Sequence, residues 1–149
     1  MAALRRIAEQ VPLVWPVHPR TLARLGDLQP AGSGSAEPGL RLTEPLGYLD
    51  FLQLMDGARL LLTDSGGIKE ETTVLGVPCL TMRTTTERPV TISEGTNRLV
   101  DPCDAAAIVG AVDEVLAAPM PAAAHPELWD GRAAERIVAV IAEWATQRS

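Results

Sequence analysis

The chain has 149 residues, 46% hydrophobic and 21% charged, enough for about one packed domain. Its net charge is −6, and its twelve arginines and single lysine, Lys69, are scattered, which argues against a nucleic-acid surface. The two cysteines, Cys79 and Cys103, fit a reducing compartment, no Cys/His spacing suggests zinc, and no stretch has the length of a membrane span or the apolar run of a signal peptide. A cytoplasmic protein without a membrane or nucleic-acid partner is expected.

In chain order, residues 2–9 read as a short helix with Leu4 and Ile7 on one side. Val11 to Val17 is an apolar, β-branched run and so a strand. His18-Pro19-Arg20-Thr21 ends it and opens a helix to about Leu25. Gln29 to Gly39, rich in Pro, Gly and Ser, reads as a mobile loop. Leu40 to Leu42 predicts a short strand, Tyr48 to Met55 a helix and Arg59 to Leu62 a strand. Ile68 to Leu75 predicts a helix and Val77 to Met82 a strand. Residues 83–96 read as a polar functional loop. Asn97 to Val100 predicts a last strand, and Ala105 to Ala117 a helix whose core face holds Ile108, Val112, Val115 and Leu116. Pro119 and Pro121 break it. Gly131 to Thr146 predicts a final helix carrying Ile137, Val138, Ile141 and Trp144.

Strands alternating with helices predict an α/β fold, a Rossmann-like parallel sheet with helices on both faces. Ligands of such sheets bind beyond the carboxyl ends of the strands. Three polar clusters fall there: His18-Pro19-Arg20, Asp64-Ser65-Gly66-Gly67, and Arg83 to Arg88. Neither a Gly-x-Gly-x-x-Gly fingerprint nor a Walker sequence is present.

The central motif is Thr63 to Glu71. A strand feeding a glycine turn that opens a helix aims backbone N–H groups and the positive end of the helix dipole at one point, an anion site. Ser65 is placed to cap the helix or to donate to a phosphate. Gly66 and Gly67 remove side chains where a ligand approaches the backbone. At about 100° per residue, Ile68, Thr72 and Leu75 share a side, and Glu71 lies about 60° from Ile68 and about 40° from Leu75. Glu70 points the other way. Glu71 is therefore the candidate for ligand hydroxyls, while Lys69 and Glu70 read as solvated surface. His18 is a candidate phosphate contact or proton relay, with Arg20 beside it. Tyr48 and Phe51, the only Tyr and Phe in the chain, lie on the helix entering this strand, and a base can stack on such a ring, with core packing as the structural alternative. Arg83 and Arg88 suit phosphate oxygens, with ion pairs to Glu87 as the structural alternative. A phosphate joined to a hydroxyl-bearing group, such as a nucleotide sugar, is the indicated ligand.

These segments together resemble the non-hydrolysing UDP-N-acetylglucosamine 2-epimerases. The resemblance rests on Pro16 to Thr21, Pro45 to Tyr48 with Phe51, Thr63 to Glu71, Leu75 to Pro78, Arg83 with Thr86 to Pro89, Gly95 to Asn97, and Asp130-Gly131 with Arg136-Ile137. It implies most of the second Rossmann-type domain of a glycosyltransferase-B-like fold, with residues 1–149 as a UDP-binding domain. It implies interconversion of UDP-N-acetylglucosamine and UDP-N-acetylmannosamine by elimination and return of UDP, with no added cofactor or metal. By the same resemblance, Ser65, Gly66 and Gly67 contact the diphosphate and Glu71 the ribose. Phe51 lies at the uracil, and His18 and Arg88 line the diphosphate side. The sequence departs from the family at several points, and the Gln29–Gly39 loop is not family-like. The N-terminal domain with its proton-moving acids and the first strand of this domain have no counterpart here. Val90 stands for a common glutamate, and Lys69 for a common glutamine. The resemblance thus predicts a chain that binds UDP, does not epimerise alone, and relies on a separately encoded N-terminal domain or on assembly as a homo-oligomer. The other readings are the donor half of a UDP-sugar glycosyltransferase and a non-catalytic nucleotide-sugar sensor.

Overall fold

The computed structural model describes residues 1–25 and 38–147. Most of the loop expected at 29–39 lies outside them. Twelve elements follow in chain order: α1 (Ala2–Ala8), β1 (Leu13–Pro16), α2 (Pro19–Leu22), β2 (Leu40–Thr43), α3 (Tyr48–Asp56), β3 (Leu61–Thr63), α4 (Ile68–Leu75), β4 (Cys79–Met82), α5 (Val90–Ser93), β5 (Asn97–Val100), α6 (Ala105–Ala117) and α7 (Ala133–Thr146). The α/β class and the parallel strands are as the alternation predicts.

The described strands form two sheets rather than one: β1 pairs with β2, and β3, β4 and β5 pair in that order. All three pairings are parallel, with Leu13 opposite Leu40, Leu61 opposite Cys79, and Cys79 opposite Asn97. β4 is central and apolar on both sides, so Cys79, Leu80 and Thr81 are fully buried. Burial raises the Cys79 thiol pKa, and both Cys79 and Cys103 are free.

The main core gathers Ala3 and Ile7 of α1, Leu80, Val100, and Ile108, Val109, Ala111 and Val112 of α6. Leu13, Leu60 and Leu62 pack on it. A second cluster joins Ala8, Val17, Leu40 and Leu42, and Leu13 packs on that one too. α6 is set by its cap: Asp104 accepts from the N–H groups of Ala106 and Ala107, both at 2.9 Å, a device that contributes about 1 kcal/mol. α4 stops at Gly76, whose φ of +73° few other residues tolerate. A Cβ there would also meet the Ala123 backbone nitrogen at 2.8 Å.

Several boundaries move. β1 and β4 are shorter than their apolar runs, ending at Pro16 and beginning at Cys79, while Val17 and Val77 are buried next to them. Arg59 lies outside β3 and donates instead to the last carbonyls of α6, those of Val115, Leu116 and Ala118. The polar segment 83–96 is not wholly loop, since α5 forms within it. α7 begins after Gly131 and buries none of its side chains: Ile137, Val138, Ile141 and Trp144 are each more than half exposed.

Candidate functional site

The glycine turn begins at Thr63, the buried last residue of β3, whose Oγ1 accepts from the Ser65 N–H at 3.0 Å. That bond bends the chain off the strand. The cap of α4 is Gly67, without a side-chain cap bond. Ser65 is therefore not the helix cap, which corrects the expectation: the turn places it two residues too early. A Cβ on Gly67 would meet nothing within 4 Å, so open space lies before the helix start. A Cβ on Gly66 would lie 3.4 Å from Arg83 Nη1 and 3.7 Å from Glu87 Oε2. The turn is thus bordered by the head of an arginine, as an anion site requires.

The buried face of α4 is Lys69, Thr72 and Thr73, each fully buried. This corrects two expectations. Lys69 is not solvated surface: its Nζ donates to Thr86 Oγ1 at 2.5 Å and pairs with Glu87 Oε2 at 3.2 Å. And Glu71 does not sit beside the core, because Ile68 and Leu75, which served as the inward reference, are only half-buried. Glu70 is also more than solvated surface, since its Oε1 accepts from Arg88 Nε at 2.5 Å. Glu71 carries no side-chain hydrogen bond or ion pair among the described residues.

Glu87 is held by two cations, Lys69 and Arg83, the latter at 3.0 Å. Its pKa falls to about 2, through its own backbone amide first and then through hydrogen bonds from Lys69 and Arg83. Arg83 is therefore the partner of Glu87, and Arg88 that of Glu70. The backbone of Arg88 is fixed from below. Thr81 Oγ1 donates to Asn97 Oδ1 at 2.6 Å, Asn97 Nδ2 donates to Thr91 Oγ1 at 3.3 Å, and Thr91 Oγ1 donates to the Arg88 carbonyl at 2.8 Å.

Between α3 and α4 an open cleft of about 570 Å³ is lined by Tyr48, Leu52, Glu70, Glu71, Val74, Leu75, Arg88, Val90 and Trp129. Of the sequence candidates, it brings Tyr48, Glu71 and Arg88 together. Ser65, Gly66 and Gly67 lie one turn earlier on the same loop and helix. His18 caps α2, its Nδ1 accepting from the Arg20 N–H at 3.2 Å. In a neutral ring that bond leaves Nε2 as the donor. His18 and Arg20 are exposed and, among the described residues, make no hydrogen bond to the glycine turn, and Phe51 is half-buried outside the cleft lining. Sequence reasoning missed Trp129 and the buried Thr81–Asn97–Thr91 chain. Only the proximity of Trp129 to Asp130-Gly131 signalled the first, and nothing local signalled the second. Among the described residues no His, Cys, Asp or Glu cluster could hold a metal, and no helix is long and apolar enough to cross a membrane.

The family model for UDP-N-acetylglucosamine 2-epimerase matches residues 1–142. The chain belongs to this family. A UDP-N-acetylglucosamine 2-epimerase of Methanocaldococcus jannaschii is 44% identical over 88 residues, 59% of this chain and 24% of that protein. A probable one from Ralstonia nicotianae is 39% identical over 146 residues, 95% of this chain and 38% of that protein. The Neisseria meningitidis UDP-GlcNAc 2-epimerase, solved bound to UDP-GlcNAc, superposes with a TM-score of 0.79 at 31% identity, covering 95% of this chain and 39% of that one. The chain thus spans about a quarter to two fifths of the length of these epimerases.

Proposed function

We propose that this chain is the UDP-sugar-binding part of a UDP-N-acetylglucosamine 2-epimerase. The observation that carries the reading is the open glycine turn at the start of α4, bordered by Arg83 and followed by an unpartnered Glu71 on the cleft wall. Gly66 and Gly67 receive the diphosphate through backbone N–H groups at the helix start, and Ser65 through its hydroxyl, its own N–H being taken by Thr63 Oγ1. Arg88, His18 and Arg20 supply charge and a ring N–H on the diphosphate side. Glu71 accepts from ribose hydroxyls, and Phe51 lies toward the uracil. In an elimination of UDP, negative charge grows on the departing diphosphate, and donors already fixed in place stabilise it without reorganising.

The resemblance assigns the acid and base that move the C2 proton to a domain outside residues 1–149, and we propose that these residues by themselves hold UDP and do not epimerise. Titration calorimetry with UDP tests the binding. Binding is expected, weakened about tenfold by Glu71→Ala, the worth of one hydrogen bond to a charged group. No heat at millimolar UDP overturns the reading. Proton NMR of UDP-GlcNAc incubated with the chain tests the second part, and robust formation of the manno epimer overturns it.

A further inference from the structure

Glu87 places a carboxylate on the arginine that borders the open glycine turn. Arg83 grips it with both arms of its fork, Nη1 to Oε2 at 3.1 Å and Nη2 to Oε1 at 3.0 Å. This is the bidentate geometry that a guanidinium also offers to phosphate. The same Oε2 lies 3.7 Å, and Arg83 Nη1 3.4 Å, from the point a Cβ on Gly66 would occupy. The corresponding point on Gly67 is open.

Lys69 holds that carboxylate from the other side. Its Nζ donates to Glu87 Oε2 at 3.2 Å and to Thr86 Oγ1 at 2.5 Å. Thr86 Oγ1 also accepts from the Arg88 N–H at 3.1 Å. The ammonium is therefore tied to the loop by an uncharged partner as well as by Glu87. The two cations differ in access: the Arg83 side chain is 35% exposed and that of Glu87 58%, whereas Lys69 is 0%. An anion arriving from solvent can take the Arg83 fork but cannot reach Lys69. Two cations face one carboxylate, so an anion on Arg83 leaves Glu87 still paired.

We infer that Glu87 is a built-in stand-in for a phosphate group at the glycine turn, exchanged for the ligand's phosphate on Arg83, and that Lys69 is the positioning residue that keeps Glu87 paired through the exchange. The inference rests on the diphosphate reading of Gly66 and Gly67, and it adds Arg83 to the phosphate ligands. With Lys69 in place, releasing Arg83 breaks only an exposed pair, which weakens binding by a factor of about five at most. Without Lys69, Arg83 is the one cation left to Glu87 among the described residues, and the carboxylate holds it against the ligand.

The test titrates the full chain with inorganic pyrophosphate, a probe without base or sugar, by calorimetry and by NMR of the Gly66 and Gly67 amides. Circular dichroism checks folding of each variant. Glu87→Gln keeps an acceptor for Lys69 but loses the charge, and is expected to tighten pyrophosphate about two- to fivefold. Lys69→Met is expected to weaken it about fivefold or more in the parent, and by less than about twofold in the Glu87→Gln background. Weaker binding by Glu87→Gln overturns the inference, since the carboxylate then only props Arg83. So does a Lys69→Met loss as large in the Glu87→Gln background, since Lys69 then attracts the phosphate directly. No shift of the Gly66 and Gly67 amides also overturns it. Glu87→Gln changes an exposed side chain and decides the stand-in even where Lys69→Met is too unstable to titrate. UDP titrated alongside separates the two readings. Pyrophosphate binding without UDP binding overturns the UDP proposal and leaves the exchange standing; UDP binding with additive effects of the two substitutions does the reverse.

Discussion

Lys69 offers the sharpest test of how the site is held. Its ammonium is fully buried and reaches Thr86 and Glu87, so the stem fills space in the core and the head anchors the 83–89 loop. Lys69→Ala removes three methylenes from a buried stem, at about 0.8 kcal/mol each. The residual cavity adds to this, giving a loss of about 2–4 kcal/mol. Lys69→Met keeps the volume and removes the charge together with its desolvation cost. Glu87 is 58% exposed and stays paired with Arg83, so the substitution leaves no carboxylate buried and alone, and the change stays within about 1 kcal/mol. A domain of this size loses about 2–4 °C of melting temperature per kcal/mol. Differential scanning calorimetry should therefore place Lys69→Ala roughly 4–16 °C below the parent and Lys69→Met within about 4 °C of it. UDP affinity should fall in both, because Thr86 and Glu87 lose their anchor. A Lys69→Met protein as unstable as Lys69→Ala would refute the assignment of stability to the stem and transfer it to the ion pair.

Three further outcomes are expected. The folded-state pKa of Glu87 is lowered from 4.5 to about 2, so its stabilising contribution is complete above pH 4.5 and lost as pH falls toward 2. The melting temperature should drop across that window, and more shallowly in Lys69→Met; identical pH profiles would remove Lys69 as a cause. Gly67→Ala places a methyl in open space, so stability should change by no more than about 1 kcal/mol while UDP binding weakens at least about tenfold. Unchanged affinity in calorimetry would move the diphosphate off this turn. Gly95→Ala should do the reverse. Its Cβ would meet Thr73 Oγ1 and the Thr91 carbonyl at 2.5 Å, lowering stability by about 1–3 kcal/mol. A parent-like melting curve would contradict that packing.

The elements were largely legible, because periodicity of 2 or 3.6 and Pro/Gly punctuation are local signals. Asp104, Gly76 and the Pro119 break mark their helix ends within one or two residues. Pairing was not local. Nothing in Val11 to Val17 says that β1 pairs only with β2, so one continuous sheet was the natural expectation. Side-chain environment on α4 failed for a related reason. The wheel fixes relative angles but not which direction is inward, and with Ile68 as reference the buried face was misplaced. A long, charged Lys69 reads as surface because lysine is rarely buried unless paired, and its partners Thr86 and Glu87 lie in another loop. Thr81, Asn97 and Thr91 looked unremarkable singly, yet their hydrogen bonds join β4, β5 and α5.

That arrangement also explains how a site full of ion pairs can admit an anion. The 83–89 loop is tied down by buried groups, with Lys69 beneath Thr86 and the Thr91 hydroxyl beneath the Arg88 carbonyl. Its guanidinium heads are engaged differently. Arg83 meets Glu87 and Arg88 meets Glu70, in pairs whose side chains are 35–58% exposed. Pairs this exposed contribute about 0–1 kcal/mol each. Exchanging a carboxylate for a phosphate oxygen on either arginine therefore costs little, while the backbone that aims the arginine does not move. The carboxylates keep the heads ordered, Arg83 beside Gly66 and Arg88 on the cleft wall, and in the proposed reading they yield to the ligand. Burial fixes the positions and exposure keeps the partners replaceable, the division of labour that the proposed diphosphate site requires.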